Sequence, residues 1–265
     1  MSQLKGGKLN NLLTHWPRGA VYTSSWLNQH GFTSDRIADY KKSHWLYTIG
    51  DNAMAKSGDK VDWKGGLYAL QKQLDLPIHV GGKTALSLLG YSHYVAPKQT
   101  LVTLYSPPGI RLPVWFKKYD WSTEFELVTT NLFPAKKSSG FQDYESGEFT
   151  ITISSPERAM METLHLVPQE QSLDEAKYLM ENLTTLRPSL VQTLLKDCHS
   201  IKVRRLFMFL AEECNQPWVK KLNLSEIDFG KGNRVIVKEG YLDPKYKITV
   251  PKDFKVQEIR NENER

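Results

Sequence analysis

The sequence predicts an α+β fold, and three observations predict it. Short helix signals crowd the first 45 residues, and an aromatic ribbon with turn chemistry follows them. Beyond residue 61 a run of strand signals precedes a run of helices instead of alternating with it. With 265 residues, 40% of them hydrophobic and 11% aromatic, the chain can bury the core of one large domain, or of a small domain plus a larger one.

The elements follow in order. "LKGGKLNNLLTHW" places Leu4, Leu9, Leu12, Leu13 and Trp16 on an irregular apolar face, and Pro17 and Gly19 end it. "YTSSWLNQHG" reads as a second helix capped by Thr23 or Ser24, burying Trp26 and Leu27 and stopped by Gly31. "TSDRIADYKKSHW" reads as a third, starting at a Thr33/Ser34 cap. Asp35 in its first turn and Lys41–Lys42 in its last complement the helix dipole. Ile37, Tyr40 and His44 recur at i, i+3 and i+7 as a narrow buried stripe, with His44 packed or capping. Arg36, Asp39 and Ser43 fall on another face. "WLYTIGDNAM" is then a ribbon turning at Gly50-Asp51-Asn52.

Three helices and a ribbon are the order of a winged helix-turn-helix, whose third helix enters the major groove while the ribbon touches the backbone. The alternative is a small helical scaffold with a solvated charged face. Charge bears on the choice. The chain carries +6, and residues 1–60 hold Lys5, Lys8, Arg18, Arg36, Lys41, Lys42, Lys56 and Lys60 against Asp35, Asp39, Asp51 and Asp59. A concentrated positive end favours a polyanionic partner, because each neutralised phosphate releases counterions. A merely soluble basic surface is the plainer reading. On the winged-helix reading Ser34, Arg36 and Asp39 face base edges, whereas Lys41, Lys42 and Lys56 hold phosphates, which position without specifying.

The remainder, residues 61–265, reads as a larger mixed α/β domain. Helices are expected in "WKGGLYALQKQL" and "GGKTALSLLGY", with a short strand in "PIHV". Strands are expected in "TLVTLYS", "PVWFKKY", "FELVTTNLF" and "EFTITIS". "SPERAMMETLHLVP", capped by Ser155 with Pro156 at its first position, opens the helical run. "SLDEAKYLMENL", "PSLVQTLLKDC" and "IKVRRLFMFLAEEC" continue it, the last burying Val203, Phe207, Leu210 and Cys214. "RVIVK" and "YKITV" close the fold as strands, and the polar tail Val256–Arg265 has little to bury.

Several chemistries are disfavoured. "PIHVGGKT" has the setting of a phosphate-binding loop, but Pro77 stands where the motif needs its first glycine, so a tight turn is the better account. Lys83, beside that helix start, is still placed to meet an anion. No Cys/His spacing makes a metal cage, and no Gly-x-Ser-x-Gly elbow is present. Asp143, Glu145 and Glu148 read as a solvated turn. Cys198 and Cys214 read as buried free thiols of a reducing compartment. No charged-then-apolar leader opens the chain, and its densest apolar run, Leu206–Ala211, is far below the roughly 20 residues of a membrane span. A cytoplasmic protein without catalysis, metal or cofactor is expected.

The succession "HWLYTIGDNAM", "WKGGLYALQKQL", "PIHVGGKTALSLLGYSHYV", "SSPERAMMETL" and "KVRRLFMFLAEE" to "YLDPKYKITVP" resembles the AbiEi antitoxins of bacterial abortive-infection toxin–antitoxin systems, over nearly the whole chain. The resemblance implies a winged helix that binds inverted repeats in the operon's own promoter and represses it, as a monomer in solution or a dimer on DNA. It also implies a C-terminal domain that counteracts a nucleotidyltransferase-type toxin without a stable complex. Thr33, Ser34, Arg36, Lys41 and Lys42 lie on the matching third helix, and Gly50, Asp51 and Asn52 at the matching wing tip. The ribbon's "DNAM" departs from relatives that carry a glycine and an aromatic there. Lys202, Arg204 and Arg205 open the helix of the "KVRRLFMFLAEE" motif. They form either a basic patch or a solvated face pairing locally with Glu212 and Glu213. Two rival classes stand beside this reading. One is a nucleotide-binding or nuclease-like enzyme using Lys83 and Lys202 as anion contacts; the other is a module that binds the toxin directly.

Overall fold

The computed structural model describes residues 3–91, 101–134, 139–252 and 254, so the tail from Val256 lies outside the described residues. The chain divides into two compact units. One comprises Met1–Val80, Ala96–Thr129 and Gln142–Ile153; the other comprises Gly81–Val95, Thr130–Phe141 and Ser154–Arg265. Residues 1–60 therefore share a unit with later segments of the chain.

The first unit opens with α1 (Gln3–His15), β1 (Tyr22–Thr23), α2 (Ser24–Gln29), α3 (Ser34–Lys42), β2 (Leu46–Gly50) and β3 (Ala53–Lys56). Strand β1 is too short to show alternation in the sequence, yet it completes an antiparallel sheet of order β1-β3-β2, with Tyr22 opposite Met54. Thr23 ends that strand and caps α2, its hydroxyl oxygen accepting from Trp26 N at 3.3 Å. Leu27 is buried as expected, whereas Trp26 is half-buried and stacks on His30 with ring centroids 3.6 Å apart.

Helix α4 (Trp63–Lys72) is capped by the Asp62 carboxylate, which accepts from Lys64 N at 2.8 Å. Its paired glycines have a steric reason. A Cβ on Gly65 would fall 1.9 Å from Gly19 O, and one on Gly66 would fall 2.7 Å from the Trp121 ring. Strand β4 (His79–Val80) follows, then α5 (Gly82–Leu88) of the second unit, β5 (Leu101–Ser106), α6 (Val114–Lys118), β6 (Glu124–Thr129), β7 (Phe141–Ser146) and β8 (Phe149–Ser154). The sheet order is β6-β5-β4-β8-β7, with β4 antiparallel to β5 and parallel to β8, and β5 parallel to β6.

Residues 114–118, expected as a strand, form α6 instead. Trp115 and Phe116 are adjacent and both buried, which a strand's alternating faces would not allow here. Phe116 packs on Trp121 and Phe125, with ring centroids 5.3 and 5.0 Å away. Asp143 and Glu145 lie on strand β7 and not in a turn; only Glu148 sits beside the β7–β8 turn at Gly147.

The second unit is helical. It holds α7 (Pro156–His165), α8 (Leu173–Glu181), α9 (Pro188–Asp197) and α10 (Ile201–Glu213), then 3-10 turns at Pro217–Lys221 and Leu224–Glu226. A small sheet closes it: β9 (Arg234–Val235), β10 (Tyr241–Leu242) and β11 (Ile248–Val250), in the order β10-β11-β9. Helix α7 is buried from Glu157 through Leu164 and packs against α5, α8, α9 and α10. Helix α10 buries Val203, Phe207 and Leu210. Cys214, expected inside, is its half-buried C-cap, while Cys198 is fully buried. Both are free thiols, and burial pushes Cys198 up to about 11.

Candidate nucleic-acid interface

The turn from α2 to α3 passes through Gly31 at φ 83°, a left-handed conformation that suits glycine. Thr33 caps α3, its hydroxyl oxygen accepting from Arg36 N at 3.5 Å. Buried Ile37 and half-buried Tyr40, whose ring lies 6.5 Å from that of Phe32, set the inward face against α2 and β2. Thr33, Ser34, Asp39, Lys42 and Ser43 are exposed, with Arg36 and Lys41 half-buried at the flank. Among the described residues, the side chains of Arg36, Lys41 and Lys42 form no ion pair or hydrogen bond. A cationic face of this kind keeps its full charge for an outside polyanion.

The structure corrects two expectations here. His44 is not part of the buried stripe. It is exposed beyond the Ser43 cap at φ 56°, because the chain leaves the helix and enters β2 within a few residues. Lys56 is not placed to hold phosphate. Its side chain is only 17% exposed, and Nζ donates to Trp16 O at 2.7 Å and Leu13 O at 3.5 Å. The partial negative charge of α1's last carbonyls draws the amine in, and the Asp59 carboxylate stands 4.0 Å away. At the ribbon's turn, a Cβ on Gly50 would meet Trp115 Cβ at 2.9 Å, so the turn is packed against α6. Asp51 and Asn52 remain exposed there, with Asn52 at φ 65° and its carbonyl accepting from Ser24 N at 2.9 Å.

In the second unit the "GGKT" turn is already filled. The Glu162 carboxylate accepts from Gly82 N at 3.1 Å and from the Ser154 hydroxyl at 2.7 Å, where a loop phosphate would have to sit. Arg158 Nε holds the other oxygen of Glu162 at 2.8 Å, and its guanidinium lies between the Phe133 and Phe141 rings at 4.4 and 4.2 Å. Lys83 pairs with Glu175 at 2.7 Å, which holds that carboxyl below its usual range despite partial burial. Glu157 behaves similarly: burial pushes its carboxyl up, and the paired Arg187 hydrogen bonds at 2.9 and 3.0 Å more than reverse this.

Lys202, Arg204 and Arg205 form neither a patch nor a solvated face. Lys202 is half-buried and donates to His165 O at 2.7 Å and to Val167 O, with burial pushing its ammonium below the usual value. Arg204 donates to Cys198 O at 2.7 Å and to Asp228 O. Arg205, 1% exposed, donates to Phe229 O and Gly232 O at 2.7 Å and to Lys247 O at 3.2 Å. Glu212, read as a local partner, instead takes Lys245 at 2.6 Å. Sequence reasoning also passed over Trp45, which is 52% exposed at the foot of β2. The signal was available, because burying Leu46 turns the neighbouring position outward.

Among the described residues, no helix is long and apolar enough to cross a membrane, and no group of three or more His, Cys, Asp or Glu is placed to hold a metal ion.

A helix, a strand, two helices and a two-stranded ribbon whose second strand pairs with the first strand are the arrangement of a winged helix-turn-helix, here followed by a larger α/β part. A family model described as "Transcriptional regulator, AbiEi antitoxin N-terminal domain" matches residues 5–97. A second, "Transcriptional regulator, AbiEi antitoxin, Type IV TA system", matches residues 99–251. The chain belongs to the AbiEi antitoxin family of type IV toxin–antitoxin systems. Its fold is similar to that of the RV2827C protein from Mycobacterium tuberculosis, at 14% identity and a TM-score of 0.57, over 98% of this chain and 96% of that one. No curated protein matches the sequence.

Proposed function

We propose that this antitoxin represses its own operon by setting α3 into the major groove of inverted repeats in its promoter, and that it counteracts a nucleotidyltransferase-type toxin. The observation that carries the DNA half is the set of cations Arg36, Lys41 and Lys42, unpaired among the described residues, around a capped, exposed, polar helix start. Ser34, Arg36 and Asp39 reach base edges; Thr33 and Ser43 flank them; Lys41 and Lys42 hold phosphates, with Asn52 at the ribbon's turn. Two copies occupy one operator, since a palindromic site mirrors two-fold symmetry. Catalysis has no part in this reading, and the occupied "GGKT" turn disfavours the nucleotide-enzyme alternative at Lys83.

The test measures binding of the full-length protein to its own upstream DNA and to random duplex of equal length, across a salt series. Strong preference for the upstream DNA, with a steep salt slope, is expected; sequence-blind binding would overturn the repressor reading. Co-expression with the adjacent toxin gene tests the other half. Growth is restored without a complex that co-purifies, and failure to restore growth would sink the antitoxin assignment for that partner.

A further inference from the structure

Five of the seven tryptophans are buried to 7% exposure or less, and Trp26 is half-buried on His30. Trp45 alone stands out at 52% exposure, and its indole stacks on no other ring among the described residues. It is held there by its backbone: Trp45 N donates to Tyr40 O, and Trp45 O accepts from Ser57 N, both at 3.0 Å. These bonds set the direction in which the side chain leaves the fold, and the exposed indole offers a flat apolar surface to a partner.

That indole borders a cleft of 790 Å³, within the range of small-molecule sites, whose lining is basic. Arg18 and Lys60 stand at its rim and are exposed, beside exposed His44. Gly19, at φ 77°, lies so near the Lys60 carbonyl that a Cβ would be 3.2 Å from it, which brings the two cation-bearing segments side by side. Lys56 is committed to the α1 carbonyls, and the Asp59 carboxylate beside it accepts from Gly19 N at 3.0 Å. The Arg18 guanidinium has one carboxylate near it, Glu148 at 3.6 Å, in a pair exposed on both sides and therefore weak and exchangeable.

We propose that this cleft binds a nucleoside polyphosphate, its base stacked on Trp45 and its phosphates held by Arg18 and Lys60. A stacking plane answers the base, and two exposed cations answer the phosphates. A bare anion would leave the indole unused, and an uncharged ring would leave the cations unused. The site is distinct from the α3 face that reads DNA in the proposal above, so either reading stands without the other.

The test is equilibrium dialysis of the full-length protein with labelled ATP, with adenosine and tripolyphosphate as competitors. Saturable one-to-one binding is expected. Trp45→Ala weakens it about tenfold and Trp45→Phe retains most of it, as loss of one base stack predicts. Arg18→Ala with Lys60→Ala weakens ATP but leaves the weaker adenosine binding unchanged. Absence of saturable binding at millimolar ATP overturns the proposal. So does ATP binding that is indifferent to Trp45→Ala, or tripolyphosphate binding as tightly as ATP, which would mark a plain anion site. All the substituted side chains are exposed, and an unchanged Tm verifies that each variant is folded.

Discussion

Two clusters of cations look alike in the sequence and differ in the structure. Arg36, Lys41 and Lys42 on α3 sit at the surface without partners among the described residues, while Lys202, Arg204 and Arg205 at the start of α10 are locked onto main-chain carbonyls. Both segments are helices with clustered positive charge. The difference lies in what surrounds them. Helix α3 has one narrow inward stripe at Ile37 and Tyr40, so its long side chains stay at the surface. Helix α10 buries most of its circumference, so its cations must find acceptors inside, and the exposed carbonyls of chain turns and helix ends supply them. A cation with acceptors holds the fold together; one without them is available to a ligand.

Four substitutions test this contrast, in decreasing order of expected effect. Arg205→Ala leaves the carbonyls of Phe229, Gly232 and Lys247 without their donor and opens a cavity, so urea unfolding should show a loss of about 3–5 kcal/mol. A loss below about 1 kcal/mol would make α10's cations no more structural than α3's. Arg36→Ala should do the reverse: stability stays within about 0.5 kcal/mol, and the preference for upstream over random DNA falls by about 1–3 kcal/mol. Equal losses on both DNAs would reduce Arg36 to a phosphate contact.

Lys56→Met sharpens the comparison, because this lysine was expected with the first group and sits with the second. It should cost about 1 kcal/mol of stability through the lost cap on α1, while leaving the salt slope of DNA binding unchanged. A flatter slope would return Lys56 to the phosphate contacts. Lys42→Ala, the smallest effect on the protein, should leave Tm in place, weaken all sequences alike and flatten the slope by about one unit.

What could be read in advance was whatever depends on near neighbours. The Thr33 cap, the Ile37–Tyr40 part of the stripe without His44, the Gly50-Asp51-Asn52 turn and the helix start at Pro156 are set by residues a few positions apart, and these stand as expected. The misses at Lys56 and Arg205 depend on partners far along the chain. Lys56 reaches carbonyls 40 and 43 positions earlier, and Arg205 reaches carbonyls 24 to 42 positions later. Helix α6 was misread because "VWFKK" has strand-forming residues whose burial on both sides only the Trp121 and Phe125 rings reveal. The exposed face of α3 was thus legible, because solvent decides there, and the carbonyl-bound cations at Lys56 and α10 were not.

The five-stranded sheet of the first unit has a consequence for how the chain is made. Val80 of β4 pairs with Ile153 of β8, so the unit that contains α3 is closed by a strand from beyond the chain's midpoint. On the ribosome, α3 emerges long before that strand exists. At ordinary elongation rates the interval is roughly 5–20 s, during which the five-stranded sheet of the unit stays incomplete. A transcript cut short between those points would yield a polypeptide that carries every residue of α3 and its own three-stranded sheet but lacks the strands that complete the five-stranded sheet of the same unit.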